Sequence, residues 1–364
     1  MSISAPITHR PLFWPRLSAV SALALLAAPR LTPLAAQAPS AKPAFAVPSW
    51  AFPTAPAKPN TGPAPRPDSV VLQHVPNSTR AFTMKQVGNA FDIPDWFPEA
   101  HPPMPAPAQY GGTRPNGRAC GFCHLPDGQG RPENSTLSGL PAAYIRQQVK
   151  AFRDSTRLAA NPAAATNSMH LLARSVTDDE VALAADYYAA LRLTRRNIVR
   201  EVAQVPKTHV EGMLYAYDRV DGTADTSAGT EPIDGRLIEV PVSFARHELR
   251  DPTVPYVTYV PVGSIARGRR LATRGPAGAA TTCTVCHGPQ LLGKDLVPPI
   301  AGRSPSNILR QLMNFRSGAR HDSASVTMAP VVERLTVSDM VSLAAYVGSL
   351  APSAPVRRAV LHSK

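Results

Sequence analysis

Cysteine is scarce in this 364-residue chain: four in all, standing as Cys120, Cys123, Cys283 and Cys286, with none left over from two equally spaced pairs. No cysteine lies near the N-terminal small-residue stretch Ala36-Gln37-Ala38, which excludes an acylated lipoprotein. Long apolar runs are missing as well. Leu17 to Ala28 is twelve residues long, short of the ~20 that a membrane-spanning helix needs. Acidic residues are outnumbered, 25 against 38 Lys and Arg, for a formal charge of +13. No nucleic-acid motif accompanies that positive charge, so a basic surface that steers acidic protein partners is the expected reading, beside simple solubility. No twin-arginine pair precedes the apolar run, which points to export of an unfolded chain.

What the cysteines do form is Cys120-Gly121-Phe122-Cys123-His124 and Cys283-Thr284-Val285-Cys286-His287. C-x-x-C-H is the attachment signature of c-type haem: two thiols on one turn bond the porphyrin, and the next residue aims its imidazole at the iron. One four-thiolate zinc site is the alternative, but such ribbons place their pairs roughly 15–20 residues apart, and here 160 positions intervene. A thioredoxin-like motif needs a βαβ context that neither pair has. Two structural disulfides would leave the two histidines unexplained. Two covalent haem c groups are therefore expected on Cys120, Cys123, His124 and on Cys283, Cys286, His287.

Residues 1–38 read as a signal peptide, with His9, Arg10 and Arg16 before the apolar run and Ala36-Gln37-Ala38 as the cleavage site. An uncleaved anchor is the alternative. Removing 1–38, which holds Arg10, Arg16 and Arg30 and no acid, lowers the charge from +13 to +10. An exported, periplasmic location suits haem attachment outside the cytoplasm. Residues 39–82 form a proline-rich linker; nine prolines between 39 and 68 predict a mostly solvated, polyproline-type tether.

From Cys120 the chain repeats itself. At an offset of 163, Gly139, Ile145, Gln148, Phe152 and Arg153 meet Gly302, Ile308, Gln311, Phe315 and Arg316. After a four-residue deletion, Met169, Thr177, Glu180, Tyr187 and Leu191 meet Met328, Thr336, Asp339, Tyr346 and Leu350 at an offset of 159. The pattern predicts haem domains at 83–194 and 263–352 and a C-terminal tail at 353–364. Each has a helix after its motif, Ala142–Arg153 and Pro305–Arg316, the latter capped by Ser304-Pro305. A second helix opens on a capping box, Thr177 with Glu180 and Thr336 with Asp339. Ser264 to Leu271 reads as a helix before the second motif, and residues 83–91 as a short helix in the same place before the first. Between the domains, 195–262 reads as a β-rich connector. Its strands are 237–242 and 256–260, with turns at Asp221-Gly222 and Asp234-Gly235, and Pro241 confines the first strand to a sheet edge. The fold class expected is mainly α, two haem domains joined by a small β-containing connector.

Electron-transfer haems take a second protein ligand, and methionine opposite histidine raises the potential. Met169 lies 49 residues after Cys120 and Met328 lies 45 after Cys283, both expected in the loop before the capped helix. His170 competes with Met169. Met84, Met104, Met213, Met313 and Met340 are read as structural.

These motifs, with Pro299-x-x-Gly302, Ile308 to Arg316, Met328-Ala329-Pro330 and Leu335 to Tyr346, resemble the tandem di-haem cytochromes c of class I, closest in pattern to the c4-type carriers. The proline-rich lead and the β insert have no counterpart there, and the first copy has Thr136 and Met169-His170 where the second has Pro299 and Met328-Ala329-Pro330. The resemblance implies that the carbonyls of Thr136 and Pro299 accept from His124 and His287, and that Leu137 and Ile300 pack on the haem faces. It implies an exported carrier of single electrons between redox proteins, with no catalytic residues. Two alternatives stand beside it. One is a peroxidase-like enzyme with one open haem site. The other is the electron-transfer subunit of a larger, membrane-bound dehydrogenase or oxidase. The partners expected are redox proteins with acidic docking surfaces, and no nucleic acid.

Overall fold

The computed structural model describes residues 45–56, 68–162, 164, 166–218, 229–278 and 281–352. The expected signal peptide, the Asp221-Gly222 turn and the C-terminal tail lie outside these. Helix makes up about 37% of the chain, and its sheets are small. Among the described residues no helix is long and apolar enough to cross a membrane.

The helices form where local chemistry starts and stops them. Ala142–Arg153 and Pro305–Arg316 have the expected bounds, and the Ser304 hydroxyl accepts from the Asn307 amide at 3.3 Å. Both capping boxes are made: Thr177 with Glu180 opens Asp178–Ala190, and Thr336 with Asp339 opens Val337–Ser349. The reciprocal bonds satisfy amide donors that a helix start leaves without partners. Ser264–Arg274 runs one turn longer than its sequence suggests. It crosses Val337–Ser349 at Gly268, where a Cβ would sit only 1.9 Å from the Ser342 carbonyl oxygen. Glycine is what lets the two backbones touch there.

Leu309, Leu312, Met313, Met340, Val341, Leu343 and Ala344 fill the core around that crossing. After the first motif a smaller core holds Leu140, Ile145, Ala184, Ala185 and Tyr188. Its helix before the motif is not 83–91. Met84–Val87 is a single capped turn whose Val87 packs with Val75 and Trp96, and the short turn Ala106–Gln109 instead sets Ala108 against Ala184 and Tyr188. Prolines at 102, 103, 105 and 107 limit that approach to one turn.

In the 195–262 region, Asn197–Glu201 pairs in parallel with Tyr256–Val260, which pairs antiparallel with Ile238–Pro241. Pro241 does lie on an edge strand. Asp234 and Gly235 turn with φ of 46° and 74°, the left-handed conformation that Asp-Gly tolerates. This region is knitted into its surroundings. Leu237 and Val260 belong to the core around Leu309, and the buried Glu239 carboxylate accepts from the Ser304 hydroxyl and the Ser306 amide, both at 2.8 Å.

The proline-rich linker is not mostly solvated where it is described. Ala51 and Phe52 are buried with the main core, and Phe45, Val47 and Trp50 pack on it. Arg310 Nε donates to the Ala51 carbonyl at 2.8 Å, and the Tyr215 hydroxyl to that of Trp50 at 3.0 Å. Three aromatic rings between the prolines supply apolar area that a polyproline tether lacks.

Candidate haem sites

Each C-x-x-C-H stretch is a one-turn helix, Cys120–His124 and Cys283–His287. The chain then reverses through a positive φ, at Leu125 (68°) and at Gly288 (79°). The loop returns with the same bonds in both places. Gly130 N–H donates to the His124 carbonyl at 3.0 Å and Gly293 N–H to that of His287 at 2.9 Å. Isolated bridges join Arg131 to Asn134 and Lys294 to Val297. Every pair of equivalents is 163 residues apart.

The loops orient the imidazoles. His124 Nδ1 meets the Ser135 carbonyl at 2.7 Å, and His287 Nδ1 meets that of Pro298 at 2.9 Å. A carbonyl only accepts, so Nδ1 carries the proton and Nε2 is left as the free donor atom. Burial holds both histidines below their ordinary pKa, which keeps the neutral, ligating form at neutral pH. The acceptors are one residue earlier than Thr136 and Pro299. Those two carbonyls are taken by Arg303, whose Nη1 donates to Thr136 O at 3.0 Å and whose Nε donates to Pro299 O at 2.6 Å. Its Nη2 reaches the Ser138 carbonyl at 3.0 Å, so one guanidinium ties the loop after His124 to the loop after His287.

Both motifs open into one cavity of about 620 Å³. Cys120, His124, Cys283, Cys286 and His287 line it, as do Leu137 and Ile300; Cys123 does not. Burial pushes the Cys120 thiol up to about 12 and that of Cys283 to about 11, so both stay protonated until a bond forms. Met169 and Met328 line the same cavity. Neither sits in a plain loop: Met169 lies within the Thr166–Arg174 helix, and Met328 joins the Ser325–Thr327 turn to Ala329–Val332. Successive helical residues do not share a face. His170 is accordingly absent from the cavity wall; its ring lies 6.0 Å from that of Phe152, and Nε2 is buried with no hydrogen-bond partner among the described residues.

Met213, at the tip of the hairpin Thr208–Glu211 with Leu214–Tyr217, also reaches the cavity wall, beside Phe52 and Pro53. Nothing in the sequence near Met213 signals this, because the hairpin meets the cavity only through tertiary packing.

The wall is otherwise short of acid. Arg157, Arg303, Arg310 and Arg320 line it, against Glu133 and Glu180. Burial, with Arg320 beside it, pushes Arg157 down to about 9, and burial alone takes Arg303 to about 10. Arg157 and Arg320 are equivalents that share two glutamines. Arg157 donates to Gln148 at 2.8 Å and to Gln311 at 3.4 Å, and Arg320 to the same oxygens at 2.9 Å each. Gln148 Nε2 is left buried without a partner. Arg320 also pairs with Asp322 at 3.4 Å, whereas the bonds of Arg157 and Arg303 go to neutral oxygens. Buried guanidiniums held by neutral partners stabilise an anion brought into an apolar chamber. A flat apolar group bearing carboxylates, as haem is, fits that lining.

No family model matches the chain. It is 39% identical to cytochrome c4 of Thiocapsa roseopersicina over 75 residues, 20% of this chain and 36% of that protein. To cytochrome c-554(548) of Halomonas halodenitrificans it is 36% identical over 72 residues, 20% of this chain and 82% of that cytochrome. A thiosulfate dehydrogenase electron acceptor of Thiomonas intermedia is 23% identical over 258 residues, 70% of this chain and 88% of that one. The chain belongs to the c-type cytochromes related to c4 and c-554, by a stretch of about 20% of its length. It spans about a third of the length of the cytochrome c4 it matches. Covalently bound haem c and electron transfer go with that membership.

Proposed function

We propose that the protein is an exported di-haem carrier that passes single electrons between redox proteins outside the cytoplasm. Haem supplies reversible one-electron exchange between Fe(III) and Fe(II). The observation that carries the reading is the pair of matching loops: each motif's histidine has Nδ1 committed to a carbonyl 11 residues on, at 2.7 and 2.9 Å, above a shared cavity with a methionine on its wall.

In this reading Cys120 and Cys123 hold the first haem and Cys283 and Cys286 the second. His124 and His287, kept neutral by burial, would ligate through Nε2. Met169 and Met328, both on the cavity wall, would supply the second ligand of each haem. Two protein ligands close the iron to substrates, which favours a carrier over an enzyme. Arg157, Arg303, Arg310 and Arg320, which line the cavity, would offset the charge of the haem carboxylates. Leu137 and Ile300 on the cavity wall would help exclude water from the haem, which favours the less charged, reduced state.

A second reading, the electron-accepting partner of a dehydrogenase, is favoured by one observation: the relative named as a thiosulfate dehydrogenase electron acceptor aligns over 70% of the chain. It leaves the haem chemistry unchanged and names the donor. Co-purification with a dehydrogenase separates it from a free carrier.

The decisive experiment is the spectrum of the exported protein, oxidised and reduced, with and without carbon monoxide. Two low-spin c-haems per chain that ignore carbon monoxide are expected. Met328→Ala and Met169→Ala should each open one haem to carbon monoxide, and His170→Ala should open none. One high-spin or carbon-monoxide-binding haem in the unmodified protein would replace the carrier by the open-site enzyme. A chain without haem would refute both.

A further inference from the structure

The two motifs are alike in their loops and unlike in what covers them. Over the first lies the segment between the strands Ile238–Pro241 and Tyr256–Val260. Arg250 stacks on the Phe122 ring, 3.6 Å from its centroid, and donates to the Phe122 carbonyl and, at 3.1 Å, to that of Val87. Trp96 Nε1 pins the neighbouring Leu249 carbonyl at 2.8 Å. His247, 2% exposed, meets Glu133 at 3.5 Å, and Arg131 pairs with the same carboxylate at 2.9 Å. The Glu133 side chain is left 5% exposed.

The equivalents at the second motif, 163 residues on, have no such cover. Val285 stands for Phe122 and is 71% exposed, and Leu296 stands for Glu133 and is 58% exposed. Cys286 is exposed where Cys123 is partly covered. Leu296 and Cys286 also line the cavity, so this open face is the cavity's rim. Val326, next in sequence to the lining residue Thr327, is itself 67% exposed.

Charge surrounds it. The Ser264–Arg274 helix packs on the Cys283–His287 turn and exposes Arg269, Arg270 and Arg274. Arg334 is exposed and reaches the loop before Cys283, its Nη1 lying 2.7 Å from where a Cβ on Gly278 would stand. Lys294 adds a fifth cation, against exposed Asp295 and Glu333.

We infer that redox partners exchange electrons with this protein at the second motif, on the face that carries Val285 and Leu296, and that the partner is a small acidic redox protein. The insert closes the corresponding face of the first motif. This rests on the di-haem carrier reading. An apolar centre with a charged rim suits a transient complex: the rim steers encounter and the centre excludes water. One electron leaves the partner and reduces one ferric haem, with no bond made and no proton moved.

The test is stopped-flow reduction of the holoprotein by a reduced plant-type ferredoxin, a small acidic one-electron donor. Arg274→Glu and Arg334→Glu are each expected to slow the second-order rate about three- to tenfold at low salt and to flatten its salt dependence. Arg118→Glu places the same charge change beside the first motif, on a residue exposed to solvent, and should leave the rate within about twofold. Covalent haem is counted in every preparation. If Arg118→Glu slows the reaction as much as Arg334→Glu, or if neither Arg274→Glu nor Arg334→Glu slows it while both haems are present, the docking assignment is overturned. A chain carrying fewer than two haems overturns the carrier reading instead.

Discussion

Arg303 offers the sharpest test of how the two loops are held. It is 7% exposed and donates to three carbonyls from both sides, Thr136 and Ser138 at 3.0 Å each and Pro299 at 2.6 Å. A hydrogen bond to a charged group contributes about 1.5–3 kcal/mol, so three come to about 4.5–9 kcal/mol gross. Against this stands the cost of burying the guanidinium. Burial takes its pKa from 12.5 to about 10, a penalty of about 3 kcal/mol in the charged form. Arg303→Leu removes both, so the net loss should be about 1.5–6 kcal/mol. Urea unfolding of the holoprotein, followed by far-ultraviolet circular dichroism at unchanged slope, measures it. Arg303→Lys should recover less than half, because an ammonium cannot span three carbonyls as the planar fork does. A loss below about 1 kcal/mol in Arg303→Leu, which leaves the buried Ser138 carbonyl without that donor, would contradict the hydrogen-bond penalty used here. Both His124 and His287 bond to the loops that Arg303 ties down. On the di-haem reading the variant should therefore shift both haem potentials, whereas a defect confined to one would mean the loops are held separately.

Other changes probe separate parts of the fold. Gly268→Ala should cost at least about 2 kcal/mol, because the new Cβ would lie 1.9 Å from the Ser342 carbonyl oxygen and the Ser264–Arg274 helix must move; thermal unfolding reports it. His247 is held down to about 4 from 6.5, chiefly by burial, with Glu133 pulling the other way. The unfolded chain therefore binds that proton more readily, and the stability due to neutral His247 is full above pH 6.5 and lost as pH falls toward 4, by up to about 3 kcal/mol. Asp127, raised by burial to about 6, acts in the opposite sense, stabilising at low pH and losing that contribution as pH rises from 3.8 to about 6. His247→Gln keeps the second effect alone, so its stability relative to the unmodified protein should rise as pH falls from 6.5 to 4; a constant difference across that range would remove His247 from the acid response.

Sequence alone determined whatever is settled within a few residues. The C-x-x-C-H turns are contiguous, the capping boxes of Thr177 and Thr336 close over three residues, and Pro241 bars its strand from a sheet interior through its own missing N–H. The repeat offset of 163 also reappears in the bonds of Gly130 and Gly293 and in the two histidine contacts. Tertiary structure decided the rest. Which carbonyl receives each histidine turned on Arg303, which reaches Thr136 from 167 positions away. Met169, rather than His170, faces the cavity because the segment is helical and one residue's step turns a side chain to another face. Phe52 is buried only because a core exists for it to cover, and Met213 reaches the cavity only because a hairpin folds over it. The difference between the covered first motif and the open second depends on Arg250 meeting Phe122 across 128 positions. Short-range hydrogen bonds and steric limits act within one turn of chain and can be read in order. Burial is a property of the surfaces that meet, and those surfaces exist only once distant segments have packed.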